Sequence, residues 1–321
     1  MVFVRAMSIF GTSEKTLRIP LEPDRLVADV GGTNTRVALV QGARVIDSSV
    51  RSFSNGAYSS FDALLAEFAS GLPAMPKVAA ISAAGPKSAT EIRLTNRDWA
   101  IIPRVLVETF GFEDVGLFND LEALGHSLPH LGDGISTVYR GQKSGVQSLV
   151  VGIGTGFNVC PVTLDPQGRC TTFISEMGHM ALPSDLCAKL SNLAFTPKTF
   201  EDVFSGRGYL DVFRAATGAP AMDVHEATRL LKSDEQLALT FGQVYGSCLA
   251  LLVRNLTPCF LPYGGIYFAG SVARSALGAG FIAQELDQLR TPEVLGANWV
   301  PDIHMIEPDD AALGGLATVF I

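Results

Sequence analysis

Three groups of polar residues in this chain have the types and spacing for chemistry on a hydroxyl or a phosphate. Asn119 and Asp120 close an apolar run, VGLF, and open a helical pattern. A carboxylate at a strand end that faces a cleft can act as a general base, with the neighbouring amide holding the substrate. The same two residue types are also good helix N-caps, and the pair by itself leaves both roles open. Glu176-Met177-Gly178-His179 sets an acid and an imidazole three positions apart around a glycine. A metal pair of this kind needs further His or carboxylate ligands on neighbouring elements. The chain has only 5 histidines and no second Glu-x-x-His, so hydrogen bonding to a neutral polyhydroxy substrate is the more economical role. An ordinary polar surface loop is the alternative. Glu201, in TFEDVFSGRG, is an early-helix acid that suits the helix dipole, and any role in a site depends on the other groups.

Three glycine turns supply the complementary chemistry. Asp29-Val30-Gly31-Gly32-Thr33-Asn34 ends an apolar run. Glycine lets backbone N–H groups approach an anion closely, Thr33 and Asn34 add donors, and Asp29 has the hard oxygen that suits a water-bound Mg²⁺. A plain hairpin turn uses the same residue types. Gly152-Ile153-Gly154-Thr155-Gly156 also follows an apolar run, but FNVCPVTL after it reads as strand. A dinucleotide fingerprint needs a helix there, so a glycine-rich hairpin fits better. No G-x-x-x-x-G-K-[ST] occurs. Gly270 ends the run IYFA between the small residues Ala269 and Ser271, which leaves room for a flat base on the backbone or marks a simple strand-to-helix turn.

These residues must be positioned by alternating strands and helices. LVADV and TRVALV flank GGTN as a hairpin, and SLVVGIGTGFNVCPVTL repeats that strand–turn–strand plan about 120 residues later. Residues 61–69 have helical spacing, 77–85 read as a buried strand, and 103–111 read as a helix with Pro103 in its first turn and Gly111 as its stop. A strand at 114–120 leads into a helix at 121–131, and the stretch from Ser184 to about Leu252 is mainly helical. AALGGLATVF closes the chain as a helix carrying small residues. Two α/β halves would leave a cleft between them, where ligands commonly bind.

Composition narrows the function classes. The chain has 321 residues, 47% of them hydrophobic and 17% charged, which suits a well-cored enzyme of two domains. The net charge of -8, with no Lys/Arg cluster, argues against nucleic-acid binding. Five widely spaced cysteines with no C-x-x-C read as reduced, mostly buried thiols of a cytoplasmic protein. The first 23 residues read as an extension ahead of the fold rather than a secretory signal, and no apolar run of membrane-spanning length is expected.

Taken in order, LVADVGGTNTRVALV, LTNRDW, LFNDLEALG, VVGIGTGFNV, SEMGHMALP, EDVFSGRGYL and YFAGSVARS resemble the bacterial glucokinase family of the proteobacterial type, a branch of the hexokinase, actin and Hsp70 superfamily. The resemblance runs from about Leu26 to the C-terminus and implies an α/β, two-domain actin-like ATPase (ribonuclease H-like) fold with an inter-domain cleft. It implies a small domain of residues 24–130 plus 307–321 and a large domain of 131–306. It implies ATP and Mg²⁺ as cofactors, D-glucose as partner, phosphorylation at the 6-hydroxyl, and a homodimer with no nucleic-acid or membrane partner. By motif match Asp120 would be the catalytic base. Asn119, Glu176, His179 and Glu201 would join it as sugar ligands. Ala28, Asp29, Val30, Gly31, Gly32, Thr33 and Asn34 would form one phosphate segment, with Asp29 toward the metal. Gly152, Gly154, Thr155 and Gly156 would form the other, and Gly270 the adenosine segment. The chain departs from the family pattern at Met177 and Ser271, where glycine is usual, which bears on sugar selectivity. A kinase for another hexose, a non-catalytic sugar sensor and an actin-like or chaperone-like ATPase are the competing expectations. The Cys-rich zinc loop of the related repressor and kinase group is absent.

Overall fold

The computed structural model describes residues 23–319 apart from 89, 96 and 289–298. The expected extension, 1–23, thus lies outside the described residues except for its last position, as do 320 and 321 of the closing segment. Along the first part of the chain come β1 (Arg25–Val30), β2 (Asn34–Gln41), β3 (Arg44–Val45), β4 (Arg51–Ser54), α1 (Phe61–Ser70) and β5 (Val78–Ala83). The short pair β6 (Ile92–Arg93) and β7 (Ala100–Ile101) follows, then α2 (Pro103–Phe110), β8 (Asp114–Asn119) and α3 (Asp120–Ser127). The second part has β9 (Ile135–Tyr139), β10 (Ser148–Ile153), β11 (Phe157–Leu164), β12 (Cys170–Thr172), α4 (Ser184–Leu190), α5 (Glu201–Phe204), α6 (Gly206–Thr217), α7 (Val224–Ser233) and α8 (Glu235–Phe260). It ends with β13 (Ile266–Ala269), α9 (Ser271–Gly278), α10 (Phe281–Asp287), β14 (Ile303–Ile306) and α11 (Ala311–Leu316).

Local chemistry explains the boundaries. The side chain of Ser60 caps α1 by accepting from the backbone N–H of Ala63 at 3.1 Å. Pro103 starts α2, and Gly111, at φ 75°, ends it in the left-handed conformation that glycine adopts without steric penalty. The expected helix over 121–131 is shorter, because the chain tightens into a 3₁₀ turn at Leu128–His130 around Pro129.

The two sheets repeat one plan. The first has the order β3-β2-β1-β5-β8, with β4 beside β2, and the second has β12-β11-β10-β13-β14-β9. In each, a central strand pairs antiparallel with its hairpin partner and parallel with a later strand: β1 with β2 and β5, β10 with β11 and β13. The strands paired on both sides read as nearly unbroken apolar runs because both of their faces are covered. One face of the first sheet packs on α1 and α2. The helices α4 to α10 cover one face of the second.

The remaining faces share two helices. Val27, Ala38, Val40 and Ala80 of the first sheet pack against Ala123 of α3 and Ala312, Leu313 and Leu316 of α11. On the other side Leu121 of α3 and Ala311 of α11 pack against Val150, Cys160, Val162 and Ile306 of the second sheet. The closing helix therefore returns to lie beside α3 between the sheets.

One expectation is corrected. Cys160 and Cys248 are buried, but Cys187 and Cys259 are exposed and Cys170 is intermediate, so the thiols are not mostly buried. On α4 the inward positions are taken by Leu186 and Leu190, which turns Cys187 outward. Among the described residues α8 is long and apolar enough to cross a membrane by length and average composition, with a window of mean hydropathy 1.4, although it holds no unbroken apolar run of that length. More than half of that window is buried, and Phe241, Tyr245, Leu249, Leu252, Val253 and Leu256 lie in the large core. A helix apolar on most sides is what a core-spanning position demands.

Contact between α3 and α11 depends on Gly315. A Cβ added there would collide with the carbonyl oxygen of Ala123 and come within 2.9 Å of the backbone nitrogen of Ser127. Backbone atoms cannot swing aside as a side chain can, so Gly315→Ala is expected to destabilise the fold by about 1–3 kcal/mol. Urea denaturation of the two proteins side by side measures this; an unchanged midpoint would mean that the helices part freely.

Candidate active site

The carboxyl ends of β1, β5, β8, β13 and β14 converge where the sheets face each other. A cavity of about 200 Å³ opens there, lined by Asp29, Val30 and Gly31 from the first sheet, Asp120 from the start of α3, Ala269, Gly270 and Ile306 from the second, and Asp309 ahead of α11. Ligands of open α/β sheets commonly bind outside such strand ends.

Asp120 is the N-terminal residue of α3, and Asn119 is the cap. The Asn119 side-chain oxygen accepts from the backbone N–H of Leu121 at 3.0 Å, while Glu122 accepts from the backbone N–H of Asn119 at 2.7 Å. Lys87 donates to the same Glu122 oxygen at 3.0 Å. Capping and site chemistry thus occur in one place: the capping box fixes Asn119 and aims Asp120 into the cavity. The carboxyl of Asp120 is pushed up from its ordinary 3.8 to about 6. Burial among protein atoms is the main cause, the nearby Asp29 charge comes next and Glu176 adds to it, while hydrogen bonds from the backbone N–H groups of Leu121 and Asp120 pull the other way. Asp29 is also raised by burial, partly offset by the 2.7 Å hydrogen bond that Ser82 Oγ donates to it and by Arg36. Two carboxyls pushed upward in one cavity mark a candidate for proton transfer or cation binding.

The first glycine turn is held from beneath. Asn55 is fully buried; its Nδ2 donates to the carbonyl of Gly31 at 2.8 Å, its backbone N–H to the carbonyl of Thr33 at 2.8 Å, and its Oδ1 accepts from Thr35 Oγ1 at 2.8 Å. Gly32, Thr33 and Asn34 are exposed, whereas Ala28 is fully buried with its side chain in the core. The second turn leans on other elements. A Cβ on Gly152 would press into Leu121 of α3 at 2.7 Å, so this glycine admits the helix. The carbonyl of Gly154 accepts from Gly206 N–H at 2.7 Å. Thr155 and Gly156 are exposed at the tip. Gly270, at φ 104°, lies so close to the turn that a Cβ would strike the carbonyl of Ile153.

The other polar residues gather beside this turn. Glu201 Oε2 lies 3.5 Å from the Cβ position of Gly156 and 3.1 Å from that of Gly178. Glu176 is exposed and near enough to Asp120 to raise its pKa. Its oxygen accepts from Asn158 Nδ2 at 3.3 Å, and Asn158 Oδ1 accepts from the backbone N–H of Met177 at 3.0 Å. His179 is exposed at the end of the 3₁₀ turn Met177–His179. Asn119, Glu176, His179 and Glu201 do not line the small cavity with Asp29 and Asp120. The side chain of Met177, where the family pattern has glycine, turns into the large core with 6% exposure.

Sequence reasoning missed Asn55, Ser82 and Asn158, which hold the predicted residues in place. Asn158 carried a readable signal, a polar residue within the apolar strand FNVCPV. It also missed a second cavity of about 910 Å³ among α6 to α10, whose lining includes Tyr209, Asp223, Thr228, Phe241, Ser271 and Ser275.

The paired sheets define the class: this is the two-sheet actin-like ATPase fold of sugar kinases. Glucokinase from an Antarctic psychrotroph superposes with a TM-score of 0.74 at 23% identity, over 91% of this chain and 97% of its own. A ROK family glucokinase from Streptomyces griseus, solved in complex with glucose and AMPPNP, superposes with a TM-score of 0.61 at 15% identity over 91% and 97%. These likenesses establish the fold. The family model described as Glucokinase matches residues 26–320, and the chain belongs to the glucokinase family. Glucokinase from Sinorhizobium fredii is 26% identical over 310 residues, 91% of this chain and 90% of that one.

The raised pKa of Asp120 has a consequence for stability. Because the folded chain binds this proton more tightly than the unfolded one, ionising Asp120 opposes folding; the opposition is absent below pH 3.8, grows toward pH 6 and is constant above. Asp120→Asn escapes it. At about 1.4 kcal/mol per pKa unit, the variant is expected to be more stable than wild type by up to roughly 3 kcal/mol at pH 8 and equal to it near pH 3.5. Melting curves across that range test this; a variant less stable at pH 8 would refute it.

Proposed function

We propose that this chain is an ATP-dependent glucokinase that transfers the γ-phosphoryl group of ATP to the 6-hydroxyl of D-glucose, with Asp120 as general base. The observation that carries the assignment of the base is the place of its carboxylate. It lies in a cavity shared by the ends of both sheets, beside Asp29 and Gly270, with its proton affinity raised to about 6. Such a base is ionised at neutral pH and still takes a proton readily.

In this reading Asn119 offers its amide N–H groups to the sugar, since its oxygen is engaged in the cap. Glu176, His179 and Glu201 complete the ring of hydroxyl partners, with Asn158 setting the angle of Glu176. The backbone of 29–34 and of 152–156 faces the phosphates, and the larger cavity beside Gly270 takes the adenosine. As the 6-oxygen attacks the γ-phosphorus, a new P–O bond forms and the bond to the β,γ-bridging oxygen breaks. The hydroxyl proton passes to Asp120, and the electron pair leaves on ADP. Positioning and charge neutralisation supply most of the acceleration in such transfers. Residues 24–130 with 307–321, and 131–306, would act as the two lobes that enclose the reactants and exclude competing water.

The Asp29 carboxylate fits Mg²⁺. It is a hard oxygen donor beside a second carboxylate, and a dication would favour the charged forms that burial of Asp29, and burial plus the Asp29 charge at Asp120, disfavour. Mg²⁺ commonly keeps several waters and takes phosphate oxygens as ligands, so one protein carboxylate can be enough to hold it. When bound there, Mg²⁺ would neutralise charge developing on the phosphates. The free thiols suit a reducing cytoplasm.

Four measurements test this reading. A coupled ADP assay across glucose, mannose, fructose and an amino sugar should give the highest kcat/KM with glucose, whereas sugar binding without ADP formation would indicate a sensor. Asp120→Asn should retain glucose binding and lose about 10²–10⁴-fold in kcat; near-normal turnover would remove Asp120 from the role. The kcat/KM profile of the wild type should fall on the acid side near pH 6 as Asp120 takes up its proton. Glu176→Gln removes one charge that raises Asp120, so its acid limb should move to lower pH while KM for glucose rises roughly tenfold. An unmoved limb and KM would place Glu176 outside the site.

A further inference from the structure

The small and large cavities meet at one side chain. Arg274, in the first turn of α9, lines both, and among the described residues no other does so. A ligand that reaches from one cavity into the other passes this residue. Among the described residues the charged lining of the smaller cavity is Asp29, Asp120 and Asp309, with Arg274 as the single cation. Three carboxylates repel a polyanion, and this one arginine is placed to offset them.

The guanidinium is held, but loosely. Its Nη2 donates to the carbonyl of Glu307 at 2.9 Å and lies 3.1 Å from Asp309 Oδ1, while Nε is 3.8 Å from Glu307 Oε2. The side chains of Arg274 and Asp309 are 40% and 69% exposed, so water screens the pair and it contributes little to stability. A phosphate offers the same guanidinium two oxygens in the geometry of its planar fork. Asp309 has a separate anchor, since its backbone carbonyl accepts from Arg36 Nη1 of β2 at 3.0 Å. The loop ahead of α11 can therefore keep its place when the guanidinium lets go.

We propose that Arg274 binds the polyphosphate of the nucleotide, exchanging the Asp309 carboxylate for phosphate oxygens, and that Asp309 is the anion it leaves. This inference rests on the two cavities being the nucleotide site. It makes Arg274 a residue that distinguishes phosphorylated from unphosphorylated adenosine, and it makes Asp309 a competitor of the incoming phosphates.

Calorimetric titration of the full chain with MgATP and with adenosine tests this in the wild type, Arg274→Gln, Arg274→Lys and Asp309→Asn. Arg274→Gln is expected to weaken MgATP at least tenfold and adenosine less than twofold. Arg274→Lys should recover part of the loss, and Asp309→Asn should bind MgATP at least as tightly as wild type. Equal MgATP affinity in wild type and Arg274→Gln would overturn the proposal. Parallel losses of MgATP in Arg274→Gln and Asp309→Asn would do the same, by showing the pair to be a structural tie. A wild-type chain that binds adenosine normally but shows no gain from the phosphates would refute Arg274 alone, whereas one that binds no adenine compound would overturn the kinase reading and this inference with it.

Discussion

The structure depends on how closely one helix is gripped. α3 lies between two sheets and against α11, and three glycines permit the approach: Gly315 under Ala123, Gly125 against Val162 and Thr172, and Gly152 under Leu121. Apolar residues at Leu121 and Ala123 anchor the helix on both sides. Its first residue is Asp120, so the packing that holds the two sheets together also fixes a carboxylate at their junction. The same contacts contribute to stability and to site geometry.

That arrangement explains the unusual carboxyl. An aspartate at a helix start is ordinarily eased by the backbone amides and remains a strong acid. Here the amides of Leu121 and Asp120 do act in that sense, but burial and the neighbouring Asp29 outweigh them. The sequence places Asp29 at the end of β1 and Asp120 just past the end of β8, two strands apart in the first sheet. Their meeting is a result of parallel pairing through β5, which brings strand ends of the same polarity to one edge.

Much of this was legible in the residues. The hairpins at 26–40 and 148–164 were visible because a central strand covered on both faces must be apolar and its turn must be glycine-rich. Asp29, Asp120 and Gly270, read separately as turn, cap and strand end, all line one cavity. Other features resisted reading for physical reasons. Gly152 reads as a phosphate-facing glycine, yet its missing side chain makes room for Leu121, a long-range contact that no local pattern announces. Met177 departs from the family pattern in sequence but turns into the core, where a flexible thioether packs without strain. The larger cavity is assembled from residues spread between Tyr209 and Phe281, and spacing along the chain carries no trace of it. The apolar character of α8 lies in its average over 26 residues rather than in an unbroken run.

Gly270 has a mechanical meaning beyond its conformation. Since the backbones at Ile153 and Gly270 touch with no side chain between them, and Gly206 is hydrogen-bonded to the same turn, three stretches from distant parts of the sequence form one solid block. The turn at 31–34 belongs to the other sheet and is braced independently by Asn55. Each hairpin tip is thus held by contacts on its own side of the site, the 31–34 turn by Asn55 and the 152–156 turn by Gly206 and Gly270.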